Sequence, residues 1–348
     1  MMIRNALKLI APPILLQIYN SIRYRFPIRK TSSNKLLRPC HFNELFISHN
    51  GDIFPCCRTW DRNEMRIGHL SDENLNLKLK RFYHRCECGE YKLRPATIED
   101  IMSFNRINIE MSLACQGNCA MCCVNAPEWK GQYDYYKDLT TIIDKYKPEE
   151  IMLQGGEVLI QKKSMAWISQ IRESYPDMRI FLVTNGNVGA ATTKSVANMI
   201  DKVTISFVGF QPETYKMIMG MEIHRAKLFA QMLSERNVKL NMKFLITASN
   251  IHEAGLFLAW AVSLIPLSVV FADSSTESYI NRRTNDRYWD KVFARSADSF
   301  QTPWRKNKQK LLDENIKVGF DKAAKEIFQI TDEFIAENGL ESIFFFNF

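Results

Sequence analysis

The chain has 348 residues, of which 46% are hydrophobic and 24% are charged. These are the proportions of an ordinary folded soluble protein, and the length suits one barrel-sized domain with an appended module. The nine cysteines are odd in number and clustered, which excludes a secreted disulfide scaffold and favours metal ligation in a reducing compartment.

The net charge of +8 originates in the first 43 residues, which contain eight basic residues and no acidic one. The remaining 38 basic residues balance the 38 acidic residues, so the body of the protein is formally neutral. A neutral body gives no support for nucleic-acid binding, and we predict no nucleic-acid partner.

Residues 1–35 form a basic arm in which apolar residues recur three or four apart, as on one face of a helix. Its longest uncharged run, 9–22, has 14 residues, which is too short for a membrane span, and no cleavage site for a signal peptide is evident. Such an arm could lie on an anionic membrane surface or pack outside the folded body.

Residues 36–98 are predicted to form a small module. His49-Asn50-Gly51-Asp52 separates two apolar runs, and Asn-Gly is a strong hairpin signal. This hairpin would bring the chain near Cys40 back beside Cys56. Cys86 and Cys88 follow a helix-like stretch and could supply two more ligands to the same site.

From residue 99 to residue 275 strand patterns alternate with helix patterns, which is typical of parallel βα units. The predicted strands are Arg106–Leu113, Glu150–Gln154, Met178–Thr184, Lys202–Phe207, Val238–Ile246 and Ser268–Ala272. The predicted helices are Tyr135–Tyr146, Lys163–Tyr175, Ala190–Ile200, Pro212–Asn237 with a break near Gly220, and Asn250–Leu264.

Cys115, Cys119 and Cys122 follow the first of these strands, with three and then two residues between them. Thiolates are soft ligands that favour iron–sulfur clusters or zinc, and a complete site of either kind normally takes four protein ligands. With no fourth cysteine at an obvious spacing, a 4Fe–4S cube held here would have one iron open to a ligand that is not protein.

The C-x3-C-x2-C run, together with Gly155-Gly156-Glu157 after the second strand, resembles the radical S-adenosylmethionine (SAM) enzymes. The resemblance implies an α/β fold with a partial (β/α)6 TIM-type barrel. It also implies that Cys115, Cys119 and Cys122 hold a 4Fe–4S cluster whose unique iron chelates SAM. The reduced cluster of that family cleaves SAM to a 5′-deoxyadenosyl radical, which takes a hydrogen atom from the substrate.

The resemblance also implies roles for residues at the carboxyl ends of the strands, where ligands bind in parallel βα folds. Gly155, Gly156 and Glu157 would bind the SAM ammonium group, although Val158 stands where the family usually has proline. Thr184-Asn185-Gly186 is similar to a Thr-Asn-Gly turn found in many relatives. Further expected SAM contacts are Ser206, on the ribose or carboxylate, and Met121, on the adenine.

The 36–98 module resembles the SPASM/twitch auxiliary-cluster fold of the same family, through its C-x(9–15)-G-x4-C hairpin and Ile67-Gly68-His69-Leu70. The resemblance implies that Cys40, Cys56, Cys86 and Cys88 hold one second 4Fe–4S cluster. A structural zinc ion is the alternative. Cys57 is treated as a thiol that does not ligate the cluster. The module precedes the barrel in this chain, whereas in most relatives the module follows the barrel.

Alternation along the strands predicts a polar interior, because barrel strands turn their apolar face towards the helices. Glu110 and Lys243 would face inwards, either as an ion pair or as contacts to the substrate. Both are candidate catalytic residues, as is Cys123, which is otherwise a packed thiol. Residues 276–348 are predicted to form a helical extension, with a helix from Lys306 to about Asn338 and a packed apolar end.

The sequence therefore predicts a cytoplasmic radical SAM enzyme, acting in oxidation or bond formation on a peptide, sugar or small metabolite. Its other partners would be a reductase such as flavodoxin or ferredoxin and, through the arm, the membrane surface. The alternative is a non-catalytic iron–sulfur or zinc protein that acts by binding a partner or a membrane surface.

Overall fold

The fold was analysed in a computed structural model. The structure describes residues 37–38, 44–57, 59, 63–81, 94–95, 103–119, 122, 126, 135–247, 249–273, 298–321, 324–325, 328 and 330–346. The predicted amphipathic arm, Cys40, Cys86, Cys88, Met121 and Cys123 lie outside these ranges.

A parallel sheet with helices between its strands forms the body of the described chain, which confirms the predicted fold class. The strands are β1 (Leu37–Arg38), β2 (Glu44–Ile47), β3 (Asp52–Phe54), β4 (Gly68–His69), β5 (Arg94–Pro95), β6 (Arg106–Ser112), β7 (Glu150–Gly155), β8 (Arg179–Thr184), β9 (Lys202–Phe207), β10 (Lys239–Ile246), β11 (Ser268–Asp273), β12 (Lys317–Phe320) and β13 (Phe344–Phe346). The six predicted barrel strands, β6 to β11, form within one residue of their predicted bounds.

The helices lie between the strands along the chain, and their buried side chains join the core of the sheet. Gly220, with φ of 67°, ends one helix where the sequence pattern predicts a break. The helices are α1 (Leu75–Arg81), α2 (Tyr136–Tyr146), α3 (Lys162–Ser174), α4 (Ala190–Met199), α5 (Pro212–Met219), α6 (Ile223–Ser234), α7 (Ala254–Ser263), α8 (Asp298–Asp313) and α9 (Asp332–Asn338).

The large sheet has the order β13-β12-β11-β10-β9-β8-β7-β6-β2-β3-β4 and is not closed. All neighbours from β6 to β13 pair in parallel, with registers such as Asn241 opposite both Thr204 and Ser268. Alternate residues of β8 to β10 are buried, and all of them except Thr184 are apolar and join the hydrophobic core. The other face, which includes Thr204, Ser206 and Lys243, is only partly buried, as an open barrel interior requires.

The predicted N-terminal hairpin forms and extends the barrel sheet. β2 and β3 are antiparallel around the turn at Gly51, which has φ of 83°. β2 also pairs in parallel with β6, so the hairpin is joined edge to edge with the first barrel strand. This pairing places the hairpin turn beside the polar face of β6.

The prediction of a helix from Lys306 to about Asn338 is wrong. α8 ends at Asp313, and Asn315, with φ of 50°, turns the chain into β12. β12 pairs in parallel with β11, and β13 pairs in parallel with β12. The predicted packing of the apolar end is confirmed, because Ile343 and Phe344 are buried. Two further strands therefore extend the six that were predicted.

Among the residues that the structure describes, no helix combines the length and the apolar character needed to cross a bilayer.

Candidate SAM and iron–sulfur site

Three loops meet at the carboxyl ends of β6, β7 and β8. The first carries Cys115 and Cys119, the second is Gly155-Gly156-Glu157, and the third is Thr184-Asn185-Gly186. Neighbouring parallel strands end at the same edge of the sheet, so sequence-distant loops become adjacent. The structure thus brings the predicted cysteine, glycine and Thr-Asn-Gly segments into one place.

Backbone hydrogen bonds hold the first loop against the second. The amide of Gly156 donates to Ser112 O at 2.6 Å, and the amide of Glu157 donates to Ala114 O at 2.8 Å. Both glycines lie so close to the first loop that a β-carbon on Gly155 or Gly156 would overlap backbone oxygens of residues 112–114. Gly155 also has φ of 145°, a conformation that favours glycine. Glycine is therefore required at both positions, because the backbones of the first and second loops are in direct contact there.

The carboxylate of Glu157 joins the second loop to the third. It is buried and accepts hydrogen bonds from the hydroxyl of Thr184 at 2.8 Å and the amide of Asn185 at 2.9 Å. It also accepts one from the amide of Leu159 at 3.1 Å and so caps a short 3-10 helix, Val158–Ile160. Burial raises the pKa of Glu157, whereas the donors on Asn185, Leu159 and Thr184 lower it. The position of the third loop depends on this carboxylate.

We expect Glu157→Gln to destabilise the protein by about 1–3 kcal/mol, because the amide nitrogen of glutamine would face a protein donor and leave a buried polar group unsatisfied. The measurement is denaturant unfolding of the protein before metal loading. Glu173→Gln, on the exposed face of α3, is the control and should change the free energy of unfolding by less than about 0.5 kcal/mol. Equal stability of the Glu157 variant and the wild type would contradict the role given to this carboxylate.

Donors from the protein also point at the cysteine sulfurs. The amide of Gly117 donates to Cys115 Sγ at 3.3 Å, and the side-chain amide of Asn185 donates to the same sulfur at 3.7 Å. The amide of Ala126 donates to Cys122 Sγ at 3.3 Å. Such donors stabilise sulfur that carries negative charge, as cysteine does when it ligates iron.

The three thiols are close enough to influence one another. Burial raises the pKa of Cys119 to about 12, and the nearby Cys115 and Cys122 add to that rise. Burial also raises the pKa of Cys115. Ligation of a metal requires thiolates, so loading of a cluster would release the protons of Cys115 and Cys119.

The residues present fit an iron–sulfur cluster. Among the described residues, no three His, Cys, Asp or Glu side chains lie close enough to hold one metal ion. The cysteines of a cube each bind a different iron, so their sulfurs stand further apart than the ligands of a single ion. Three neighbouring partly buried thiols with N–H donors directed at two of them are the donor set that a cluster requires.

One predicted auxiliary ligand, Cys56, lies within the described part of the module. It is buried after β3, and its sulfur is 3.9 Å from Thr59 Oγ1. Cys57 is only partly buried. Because the other three predicted ligands lie outside the described residues, the auxiliary ligand set stays a prediction.

The candidate catalytic residue Glu110 is buried on the polar face of β6 and binds the hairpin. Its Oε2 accepts a hydrogen bond from the amide of His49 at 3.1 Å and lies 2.8 Å from His49 Nδ1. Lys243 and Ser206 are opposite each other in the β9–β10 register, and both are partly buried. The roles proposed for these residues stay predictions.

Three residues that sequence reasoning missed also belong to this site. Gln116 donates to Asn185 Oδ1 at 3.3 Å and to Asn187 O at 3.2 Å, which fastens the cysteine loop to the third loop. Tyr215 lies near the cysteines, on α5. Gln116 and Asn187 lie one or two residues from predicted site residues, but no sequence signal indicates Tyr215.

Comparison with protein-family models agrees with this geometry. A model of the radical SAM superfamily matches residues 109–252, and a model of an iron–sulfur cluster-binding domain, SPASM, matches residues 39–79. Residues 109–252 therefore form a radical SAM domain, which confirms the predicted family resemblance. The SPASM match lies before the radical SAM match, which confirms the predicted N-terminal module. Radical SAM domains imply SAM and a 4Fe–4S cluster, and SPASM domains imply auxiliary iron–sulfur clusters, which confirms the predicted cofactors.

Several solved structures are similar to this chain at low sequence identity. Streptococcus suis SuiB bound to the precursor peptide SuiA is 12% identical with a TM-score of 0.50, and the match covers 72% of this chain and 60% of SuiB. SuiB bound to SAM is 13% identical with a TM-score of 0.48, covering 66% and 52%. The enzyme anSMEcpe, with bound AdoMet and a Cp18Cys peptide, is 13% identical with a TM-score of 0.46, covering 61% and 63%.

This radical SAM chain therefore spans about half to three-fifths of the length of these SuiB structures. No curated protein matches it in sequence.

Proposed function

We propose that this radical SAM enzyme cleaves SAM reductively and uses the product radical to abstract hydrogen from its substrate. The observation that carries the proposal is the meeting of the three-cysteine loop with the Gly155-Gly156 turn and the Thr184-Asn185 turn at one edge of the sheet. When bound, the reduced cluster supplies the electron that splits SAM into methionine and a 5′-deoxyadenosyl radical.

In this proposal the residues of the chain bind the cluster and SAM and orient them. Cys115, Cys119 and Cys122 would hold the cluster, and the closely packed backbone of Gly155 and Gly156 would bind the SAM ammonium group. Because its carboxylate already accepts hydrogen bonds from Thr184, Asn185 and Leu159, Glu157 would act mainly by holding the third loop in place. We propose Ser206 and Met121 as further SAM contacts.

The substrate would occupy the polar interior of the open barrel. The side chains of Thr204, Ser206 and Lys243 lie on its partly buried face, where they are polar groups that a substrate could contact. We propose a peptide, sugar or small metabolite as the substrate. The SuiB structure with a precursor peptide shares the fold, which supports the peptide among these classes.

The auxiliary cluster would assist oxidation or bond formation and would be held by Cys40, Cys56, Cys86 and Cys88. A reductase such as flavodoxin or ferredoxin would supply electrons. The cytoplasmic location and the contact of the basic arm with a membrane surface stay predictions.

Release of 5′-deoxyadenosine from SAM tests the proposed function. The protein is reconstituted anaerobically with iron and sulfide, reduced with dithionite and incubated with SAM. We expect about eight irons per chain, two 4Fe–4S clusters, and release of 5′-deoxyadenosine that requires the reductant. A protein that holds this iron and never cleaves SAM would instead support the non-catalytic alternative, and zinc in place of iron would do the same.

Removal of one auxiliary ligand should distinguish the contribution of the auxiliary cluster from that of the SAM-binding cluster. We expect Cys56→Ala to lose about four irons per chain while some SAM cleavage remains, because the cluster on the barrel loop keeps its ligands. Iron analysis and the 5′-deoxyadenosine assay measure the two effects. Cys57→Ala is the matched control and should keep all the iron. The reverse result, with iron lost only from the Cys57 variant, would show that the proposed ligand set is wrong.

A further inference from the structure

Tyr215 lies on α5, the helix whose last residue is hydrogen-bonded to the cysteine loop. It lies in the first turn of α5, is fully buried, and packs against Phe207 with ring centroids 6.3 Å apart. The strand-to-helix turn is tight, since a β-carbon on Gly209 would lie 2.9 Å from the amide nitrogen of Tyr215. The phenol ring therefore has little freedom to move away.

The hydroxyl of Tyr215 is buried and makes no hydrogen bond. Burial raises the pKa of the phenol, and the side chain of Asn187 is a polar neighbour that lowers it. That side chain is too distant or too poorly directed for a hydrogen bond, and one of its two Nδ2 hydrogens goes to Glu222 O at 2.6 Å. Leaving a buried hydroxyl unpaired costs about 1–3 kcal/mol. A phenylalanine at this position would avoid that cost. The presence of the hydroxyl therefore indicates a hydrogen-bond partner that is present only when the cluster or SAM is bound.

The charges around the hydroxyl indicate what that partner is. The thiols of Cys119 and Cys115 and the carboxylate of Glu157 lie within electrostatic reach of the hydroxyl, so an acceptor bound among them would be anionic. The last residue of α5 is bonded to the same loop, because the amide of Asn118 donates to Met219 O at 2.9 Å. A neutral donor is thus held within electrostatic reach of the segment that ligates the cluster.

We propose that the Tyr215 hydroxyl donates a hydrogen bond to the anionic assembly bound at the cysteine loop, either to a cluster sulfur or to the SAM carboxylate. This inference rests on the proposed function and makes Tyr215 a cofactor-binding residue. Hydrogen bonds to anionic acceptors are stronger than those between neutral groups, and donors to cluster sulfurs raise the reduction potential.

The test compares wild-type protein with Tyr215→Phe in three measurements. Before metal loading, the variant should be at least as stable to denaturant as the wild type, since it removes an unpaired hydroxyl. After reconstitution, the midpoint potential of the SAM-binding cluster is measured by EPR-monitored titration without SAM. The Kd for SAM is then measured by calorimetry. Tyr146→Phe is the control, because its hydroxyl donates to Asn76 Oδ1 at 2.7 Å, at the end of α2 that leads into the amino end of β7.

The potential and the Kd together show whether the Tyr215 hydroxyl binds a cluster sulfur, SAM or neither. A more negative potential for Tyr215→Phe assigns the hydroxyl to a cluster sulfur, and a Kd for SAM about tenfold higher or more assigns it to SAM. Unchanged potential and unchanged Kd, with wild-type protein that loads its cluster and binds SAM, would overturn the role of Tyr215 alone. Wild-type protein that neither loads a cluster nor binds SAM would instead refute the proposed function.

Discussion

Replacement of Cys119 by alanine should abolish the release of 5′-deoxyadenosine from SAM. Cys119 is the central member of the three-cysteine loop, and the loop offers no other described cysteine in its place. A cube held by two protein thiolates would have two irons without protein ligands, so it would be lost or would bind SAM incorrectly. The measurement is chromatographic detection of 5′-deoxyadenosine after anaerobic reconstitution and reduction.

Cys57→Ala is the matched control for this result, because Cys57 lies outside both proposed ligand sets. It should release 5′-deoxyadenosine at the wild-type rate. Cleavage of SAM by the Cys119 variant at the wild-type rate would show that the cluster is held elsewhere.

Replacement of Gly156 by alanine should reduce SAM cleavage by about a hundredfold or more. The added β-carbon would overlap the backbone oxygens of Leu113 and Ala114, so the glycine turn and the cysteine loop would have to separate. A displacement of about 1 Å at a catalytic centre costs about this factor. The rate of 5′-deoxyadenosine release measures the effect, with iron content measured on the same sample.

Gly189→Ala provides the control for the glycine prediction. Gly189 precedes α4, on the loop that follows Thr184-Asn185-Gly186, and a β-carbon there would have no heavy atom within 4 Å. This variant should cleave SAM as the wild type does. Wild-type activity in the Gly156 variant would mean that the two loops need not touch.

The βα pattern and the cysteine spacing predicted most of the barrel and the main loop of the site. Long strands such as Lys239–Ile246 have strict alternation, and helices such as Tyr136–Tyr146 bury one apolar face, so propensity and packing agree. The hairpin was predicted from Asn50-Gly51, because that turn requires a residue with positive φ.

The last two strands were not predicted because their stability comes from tertiary pairing. β12 has four residues including Gly319, and β13 has three, so neither has enough alternation to distinguish it from a loop or a helix end. Each becomes a strand by pairing with the strand before it. The pairing of β2 with the edge of β6 could not be predicted from the sequence either.

The contacts between the three loops of the site also could not be predicted from the sequence. Glu157 was predicted as a ligand contact, yet its carboxylate binds Thr184 and Asn185, which are 27 and 28 residues away. Tyr215 reads as an ordinary helix residue, and only the fold places its unpaired hydroxyl near the cysteines.

In the proposed function, one iron of the SAM-binding cluster has no protein ligand and binds SAM directly. The most direct measurement is electron–nuclear double resonance on the reduced protein with SAM that carries ¹⁵N in its amino group. We predict a hyperfine coupling between this ¹⁵N nucleus and the electron spin of the cluster. Reduced protein with bound SAM that shows no such coupling would contradict the claim.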